Sequence, residues 1–128
     1  MTSYNKHKNE HKTSKWAIAS MLMAADYKLV LLEHKRCDVT AFARVGNNRF
    51  VLSVEVERSV KNVMNNVTRN ITADCDHVLI VCSNQKVMQQ VSKRLKKHLP
   101  ESFLKKTSIT TRESLCVEDL RRIKELAS

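Results

Sequence analysis

The stretch "RFVLSVEVERS", residues 49–59, ends an apolar run with two glutamates, Glu55 and Glu57. Side chains alternate along a β-strand, so the pattern predicts a strand with Val54 and Val56 on one face and both glutamates on the other. Burying the valines decides which face of this strand meets a core. The glutamates then occupy the opposite face. Their environment there depends on which other residues of the sequence lie on the same face.

A hairpin is predicted directly before this strand. The run "RCDVTAF", residues 36–42, alternates in the same way, and "VGNN", residues 45–48, separates the two runs with the only glycine of the chain. Gly-Asn is a favoured two-residue turn between antiparallel strands. We therefore expect Asp38 and Glu55 to lie on adjacent strands, on the face opposite the valines, where their carboxylates converge.

The other segments alternate between helical and strand periodicity. Helices are predicted at about residues 9–26, 59–72, 87–99 and 117–126, with Ser59 as a helix cap, and strands at 28–33, 36–42, 49–57, 77–83 and 107–111. This order, α-β-β-β-α-β-α-β-α, predicts an α/β fold with a mixed sheet flanked by helices. The length suits one domain, residues 1–128, of which residues 1–8 are expected to be a flexible basic N-terminus.

The charge balance favours a polyanionic partner. Lys and Arg number 23 against 13 Asp and Glu, a formal net charge of +10, and phosphate contacts explain such an excess most readily. DNA is therefore the expected partner. No apolar stretch is long enough to span a membrane, and the single glycine excludes a Gly-rich phosphate loop, so neither a membrane partner nor a nucleotide cofactor is expected. The opening residues carry no apolar leader, which predicts an intracellular protein, cytoplasmic or nucleoid-associated.

Converging carboxylates need compensation by positive charge. Each carboxylate raises the pKa of its neighbours, and burial adds to the cost of ionising them. Mg²⁺, with Mn²⁺ as the alternative, binds few carboxylates together with water and phosphate oxygens. Asp38 and Glu55 are therefore candidate metal ligands, and Glu57 lies one pleat further along the same face.

The pattern resembles a known family. A helix, three strands, a helix and a strand, with Asp38 on the second strand and "EVE" (residues 55–57) ending the third, is similar to the PD-(D/E)xK nuclease superfamily. The fold of that superfamily is called restriction-endonuclease-like. The resemblance covers the chain from about residue 9 to about residue 99 and implies the same fold here.

The resemblance also implies roles for individual residues. Asp38 and Glu55 would bind Mg²⁺, and Glu10 in the first helix would add a third carboxylate. Glu57 stands where the family most often has the lysine that serves the attacking water. Lys61, one turn further on, is an alternative position for that lysine, so the choice between Glu57 and Lys61 stays open.

The function implied by the resemblance is that of an Mg²⁺-dependent DNA endonuclease. Such an enzyme, a metal-dependent deoxyribonuclease, hydrolyses phosphodiester bonds with an activated water. The residues implied in DNA binding are Arg58, Lys61, Asn65 and Arg69. A homodimer is expected, because one chain offers one site and duplex DNA presents two strands.

Other interpretations remain open. The missing lysine favours a nuclease-like DNA-binding module that has lost turnover and acts as a regulator or complex subunit. A third hypothesis is an α/β adaptor that binds other proteins. At the level of residues, Glu55 and Glu57 could be the solvated face of an edge strand, and the lysines within residues 86–97 could be a solvated helix face.

Overall fold

The structure, a computed structural model, describes the backbone of residues 3–126 and the side chains of residues 14–126. The side chains of the expected flexible segment, residues 1–8, and of the predicted metal ligand Glu10 lie outside the described residues. Among the helices of the described backbone, none has the length and apolar character needed to cross a membrane.

Within residues 3–126, five helices and five strands follow one another. Their bounds, in order, are α1 Ser3–Ala24, β1 Leu29–His34, β2 Cys37–Val45, β3 Asn48–Glu57, α2 Val63–Thr72, β4 His77–Cys82, α3 Gln85–His98, α4 Glu101–Leu104, β5 Thr107–Thr111 and α5 Val117–Glu125. The predicted mixed α/β class is therefore confirmed.

The five strands form one sheet in the order β1-β2-β3-β4-β5. The first three strands make an antiparallel meander, and β3–β4 and β4–β5 are parallel pairs joined by helical crossovers. Gly46 has φ +63° in the turn between β2 and β3, a backbone conformation that favours glycine. The predicted hairpin is confirmed, and β3 becomes the central strand of the sheet.

Helices cover both faces of the sheet, and each face has its own hydrophobic cluster. On one face, α1 and α5 pack over Val39, Val54, Val56 and neighbouring apolar residues of β2 to β4. On the other face, α2 and α3 pack over β4, where Val78 and Ile80 are fully buried. All six residues of β4 are buried, as its unbroken apolar run predicts.

Two predicted details of the helices are wrong. The second helix begins at Val63 rather than residue 59, and Ser59 does not cap it, because its Oγ accepts a hydrogen bond from the Lys61 N–H (3.4 Å) in the preceding turn. The short helix α4 was not predicted. It follows Pro100, whose carbonyl accepts hydrogen bonds from the next turn, so the proline that ends α3 also begins a new helix.

Candidate functional site

The two glutamates that end β3 are buried. Side chains on the central strand have sheet neighbours on both sides, and α2 covers the face that carries the carboxylates. Glu55 is 4% and Glu57 7% exposed. The interpretation of these residues as the solvated face of an edge strand is therefore wrong. Carboxylates so deeply buried require partners within the protein or from a ligand.

Asp38 approaches the same point from β2. Val39 pairs with Val54 in the antiparallel register, so Asp38 lies one step further, opposite the end of β3. Its Oδ2 accepts a hydrogen bond from the Val56 N–H at 2.7 Å. The structure thus brings three carboxylates together, which we call the carboxylate cluster: Asp38, Glu55 and Glu57.

Two amides of α2 bind the glutamates. Asn70 Nδ2 donates to Glu55 Oε1 at 2.9 Å, and Asn66 Nδ2 donates to Glu57 Oε1 at 2.7 Å. Asn70 also donates to the carbonyl of Asn66 (2.8 Å), which orients its own amide. Asn70 is buried, so this network is part of the packed interior between β3 and α2.

Two cations flank the carboxylate cluster from different elements. Lys15 Nζ of α1 lies 3.6 Å from Asp38 Oδ1 and 2.6 Å from Glu33 Oε1. Arg69 of α2 has one guanidinium nitrogen 3.6 Å from Glu55 Oε1, and the same nitrogen donates to the Arg36 carbonyl at 2.8 Å. Because both cations are shared with other acceptors, they compensate the three carboxylates only in part.

The pKa values reflect incomplete compensation. Burial raises the pKa of Glu55 to about 7; the Asn70 hydrogen bond and Arg69 lower it, whereas the charges of Asp38 and Glu57 raise it further. Burial also raises the pKa of Glu57, against the lowering effect of its hydrogen bond with Asn66. Near neutral pH, both the protonated and the ionised form of the Glu55 carboxyl are therefore populated in the folded protein.

The sequence-predicted surface residues lie away from this network. Arg58, Lys61 and Asn65 are exposed, and within the described residues no hydrogen bond or ion pair joins their side chains to the carboxylate cluster. Of the four predicted DNA contacts, only Arg69 lies beside a carboxylate.

The sequence reasoning missed Lys15, Asn66 and Asn70. A usable signal existed for the two asparagines, because they lie three residues after Val63 and Val67, on the helix edge next to the buried stripe. Lys15 gave no such signal. Lys15 lies on α1 and Asp38 on β2, so their contact joins residues 23 positions apart in the sequence.

The metal prediction finds little support in this geometry. Each carboxylate has an oxygen bound by a protein donor: Val56 N–H, Asn70 or Asn66. Within the described residues, no group of three or more His, Cys, Asp or Glu side chains is placed to hold a metal ion. Mg²⁺ or Mn²⁺ binding by Asp38 and Glu55 stays a prediction.

Fold and site together define a class: an α/β domain with a five-stranded mixed sheet and a buried network of carboxylates, amides and cations. The model of one protein family, described as RcpB, rough colony protein B, tight adherence (tad) subunit, matches residues 13–124. The chain belongs to this family. No curated protein and no solved structure matches it.

Family membership overturns several predictions made from the sequence. The chain is not assigned to the PD-(D/E)xK nuclease superfamily, and the functions inferred from that resemblance, a DNA endonuclease or an inactive nuclease-fold regulator, are wrong. The prediction of DNA as the partner is wrong for the same reason, and so is the homodimer that was inferred from duplex DNA. The individual roles predicted for Asp38, Glu55, Glu57 and Lys61 stay predictions, as does the intracellular location.

Proposed function

We propose that this chain is a non-catalytic assembly subunit of the tight adherence system, and that it binds another protein of that system through the exposed basic side of α3. Membership of a family described as a tad subunit is the observation that carries the proposal. It agrees with the third hypothesis left open by the sequence, an α/β adaptor between proteins. The distribution of charge supports the choice of surface.

Helix α3 separates its apolar and basic residues cleanly. Val87, Val91 and Leu95 are buried against the sheet, while the cations point to solvent. We call the exposed cations the α3 basic face: Lys86, Lys93, Arg94, Lys96 and Lys97.

Nothing in the described residues neutralises this face. The sequence of α3, QKVMQQVSKRLKKH, contains no acidic residue, and no described carboxylate forms an ion pair with its cations. Like charges so close together repel one another. An acidic partner surface would relieve that repulsion and accelerate association by long-range attraction.

A protein surface fits α3 better than a lipid surface. An interfacial helix inserts bulky apolar side chains into the lipid, but α3 buries its apolar stripe within its own domain. Its exposed side offers charge and the amides of Gln89 and Gln90. Such a surface is suited to hydrogen bonds and ion pairs with the acidic face of a folded partner.

The carboxylate cluster has a different role in this proposal. Because Glu55 and Glu57 are buried beneath α2, they are not accessible to a macromolecular partner. We assign the network to holding α2 against β3, which also fixes the position of the helices on that side of the sheet. The partner-binding surface therefore lies elsewhere on the molecule.

We also infer that the domain has a restriction-endonuclease-like fold, which in this chain would have an assembly role instead of a nuclease role. The helix, three-strand meander, helix and parallel strand that run from α1 to β4 support this inference. An experimental structure compared with folds of that kind tests it, and a different strand order or direction would reject it.

A charge-reversal experiment tests the proposed function. The variant Lys93→Glu/Lys96→Glu/Lys97→Glu reverses three cations of the α3 basic face without changing buried residues. Lys28→Glu/Arg44→Glu/Arg49→Glu is the matched control, because these residues are also exposed and the change in net charge is the same. Each full-length variant carries an affinity tag and is produced in cells that make the other tight adherence proteins.

The readouts are recovery of tight adherence proteins with the tagged chain, at low and high salt, and attachment of the cells to a surface. We expect the α3 variant to lose recovery of at least one such protein about tenfold, a loss of roughly 1.4 kcal/mol, and the control to stay within about twofold. Unchanged recovery with the α3 variant, or equal loss with both variants, would reject α3 as the binding surface.

A further inference from the structure

Strand β5 forms an open edge of the sheet. It pairs with β4 on one side, and the sheet order places no strand on the other. Its sequence, TSITT (Thr107–Thr111), contains neither charge nor proline, the residues that commonly protect a free edge from pairing with another chain. The opposite edge, β1, differs because Glu33 and His34 lie within it.

The backbone of β5 presents hydrogen-bonding groups to this open side. The Lys106 carbonyl accepts from Val78 N–H (2.7 Å), and Arg112 N–H donates to the Cys82 carbonyl (2.8 Å), so the even-numbered residues face β4. The N–H and C=O groups of Thr107 and Ile109 consequently point outward. The described part of the chain offers these outward groups no backbone partner.

An apolar groove runs beside the same edge. A cavity of about 510 Å³ lies between β5 and α5 and is open to solvent at Leu126, which is 71% exposed. We call it the β5 groove; residues lining it include Leu79, Ser108, Thr110, Leu115, Ile123 and Leu126. Of β5, Ser108, Ile109 and Thr110 line it. A strand added beside β5 would direct every second side chain into this groove.

We propose that β5 receives an extended, acidic-flanked segment of another tight adherence protein as a sixth strand, with alternate apolar side chains in the β5 groove. The inference rests on the proposed function. It adds that the partner segment is an extended strand with alternate apolar residues and acidic flanks. Backbone hydrogen bonds to Thr107 and Ile109 supply the register, and the groove selects the apolar residues.

Charge complementarity argues for an acidic partner segment. Lys105 and Lys106 precede β5 and are exposed; Arg112 follows it, with one guanidinium nitrogen donating to Ser14 Oγ (2.7 Å) and the exposed Glu113 beside it. Arg122 lines the groove together with Asp119, whose carboxylate is engaged in capping α5 through the Cys116 N–H (3.0 Å). Exposed cations thus stand at the start of the open edge and in the groove, where acidic residues next to the added strand would meet Lys105, Lys106 and Arg122.

A defined peptide probes the edge in the full-length chain. The probe is a synthetic peptide of five Glu-Val repeats, and the control is a peptide of the same composition with five glutamates followed by five valines. Fluorescence anisotropy measures binding, and amide hydrogen exchange reports on individual backbone groups. We expect the alternating peptide to bind at least about tenfold more tightly and to slow exchange at the Thr107 and Ile109 amides.

A matched pair of variants isolates the backbone contact. Ile109→Pro removes an outward N–H while leaving the β4 hydrogen bonds intact, and Ile109→Ala removes similar packing but keeps that N–H. Proline should weaken peptide binding about fivefold relative to alanine, as expected for one backbone hydrogen bond. Thermal unfolding checks that both variants fold. Leu126→Glu, at the exposed groove rim, keeps the backbone intact and should also weaken binding.

The outcomes separate this inference from the proposed function. If neither peptide protects the β5 amides while the α3 charge reversal still abolishes recovery of a tight adherence protein, strand addition is wrong and the proposed function stands. If raising the concentration of the chain alone protects the same amides and the peptide does not, the edge serves a second copy and the proposal is overturned. Protection of both amides that Ile109→Pro weakens and Ile109→Ala preserves supports it.

Discussion

Glu55 is a buried carboxyl whose ionised form is costly in this structure. A carboxylate in a buried network is tolerated when hydrogen bonds and cations replace its hydration. Glu55 receives one amide hydrogen bond from Asn70 and a long contact with Arg69 at 3.6 Å. The two neighbouring carboxylates oppose these effects, and the result is the raised pKa near 7.

The raised pKa of Glu55 predicts that stability falls as the pH rises. The folded-state pKa of about 7 exceeds the ordinary value of 4.5, so the folded state binds more protons between these values. The contribution of neutral Glu55 is fully present below pH 4.5 and is lost as the pH rises through 7, at a cost of about 3 kcal/mol. Glu55→Gln, permanently neutral, should remove most of this slope.

Urea unfolding at pH 5, 6, 7 and 8 measures this effect. We expect Glu55→Gln to be more stable than the wild type at pH 8 and similar to it at pH 5. Glu118→Gln is the control, because Glu118 is an exposed residue of α5. Parallel pH profiles for wild type and Glu55→Gln would contradict the raised pKa.

The predicted binding of Mg²⁺ by Asp38 and Glu55 can be tested independently of any activity. If these carboxylates bind the ion, millimolar MgCl₂ at pH 8 should raise the unfolding temperature of the wild type by mass action. Asp38→Asn and Glu55→Gln should abolish that increase. The same concentration of Na₂SO₄ at matched ionic strength controls for salt screening. No difference between MgCl₂ and the control would reject the metal prediction.

Helix α2 connects these residues to the sheet. Val63, Val67 and Ile71 form its buried stripe, and the two asparagines that bind the glutamates lie beside that stripe. The apolar residues hold the helix against the sheet, and the amides determine which face of the helix meets the carboxylates. Replacing an amide should therefore weaken both the helix contact and the compensation of a buried charge.

Asn70→Ala should be strongly destabilising because it leaves Glu55 without its hydrogen-bond donor and opens a gap in a buried site. We expect a loss of about 2 kcal/mol at pH 7 and a further rise in the pKa of Glu55. Asn65→Ala, exposed on the same helix, should change the free energy of unfolding by less than about 0.5 kcal/mol. Equal effects of the two substitutions, measured by urea unfolding, would show that the Asn70 amide contributes nothing specific.

The individual elements differ in how far the sequence predicts them. The strand His77–Cys82 and the hairpin at Gly46 have unambiguous local signals, an unbroken apolar run and a turn dipeptide. The start of α2 does not, because Ser59 has the right residue type for a cap but its hydroxyl binds a nearby turn instead. The sequence shows which side chains are able to cap a helix. The path of the backbone decides whether a given side chain reaches the first N–H groups of that helix.

The molecule as a whole shows why the inferred function was wrong while the mixed α/β class was right. Periodicity predicts which faces are buried, and that information is sufficient for a layered α/β arrangement. The chemistry of a buried carboxylate is different, because either a metal or the protein's own donors can compensate it. Lys15 comes from a helix distant in sequence and the amides come from the helix that follows β3, so the pattern "EVE" alone could not distinguish these cases.

The net charge of +10 gave a similar ambiguity. An excess of lysine and arginine predicts an anionic partner but not whether the anion is phosphate or carboxylate. The folded arrangement adds the position of the charge, with a row of cations along α3 and others at the ends of β5. Family membership favours carboxylates of another protein, the partner class of the proposed function.

The contact between α1 and α5 has a consequence for how the chain is made. Tyr27 Oη donates to the Leu120 carbonyl (3.0 Å) and Lys124 Nζ to the Ala25 carbonyl (2.5 Å), so α5 and the turn that follows α1 close over one hydrophobic cluster together. On the ribosome, the β1–β3 meander emerges early, but the apolar surface beneath α5 stays uncovered until that helix leaves the exit tunnel. Nascent chains of this protein are therefore natural clients for chaperones that bind exposed apolar surface during translation.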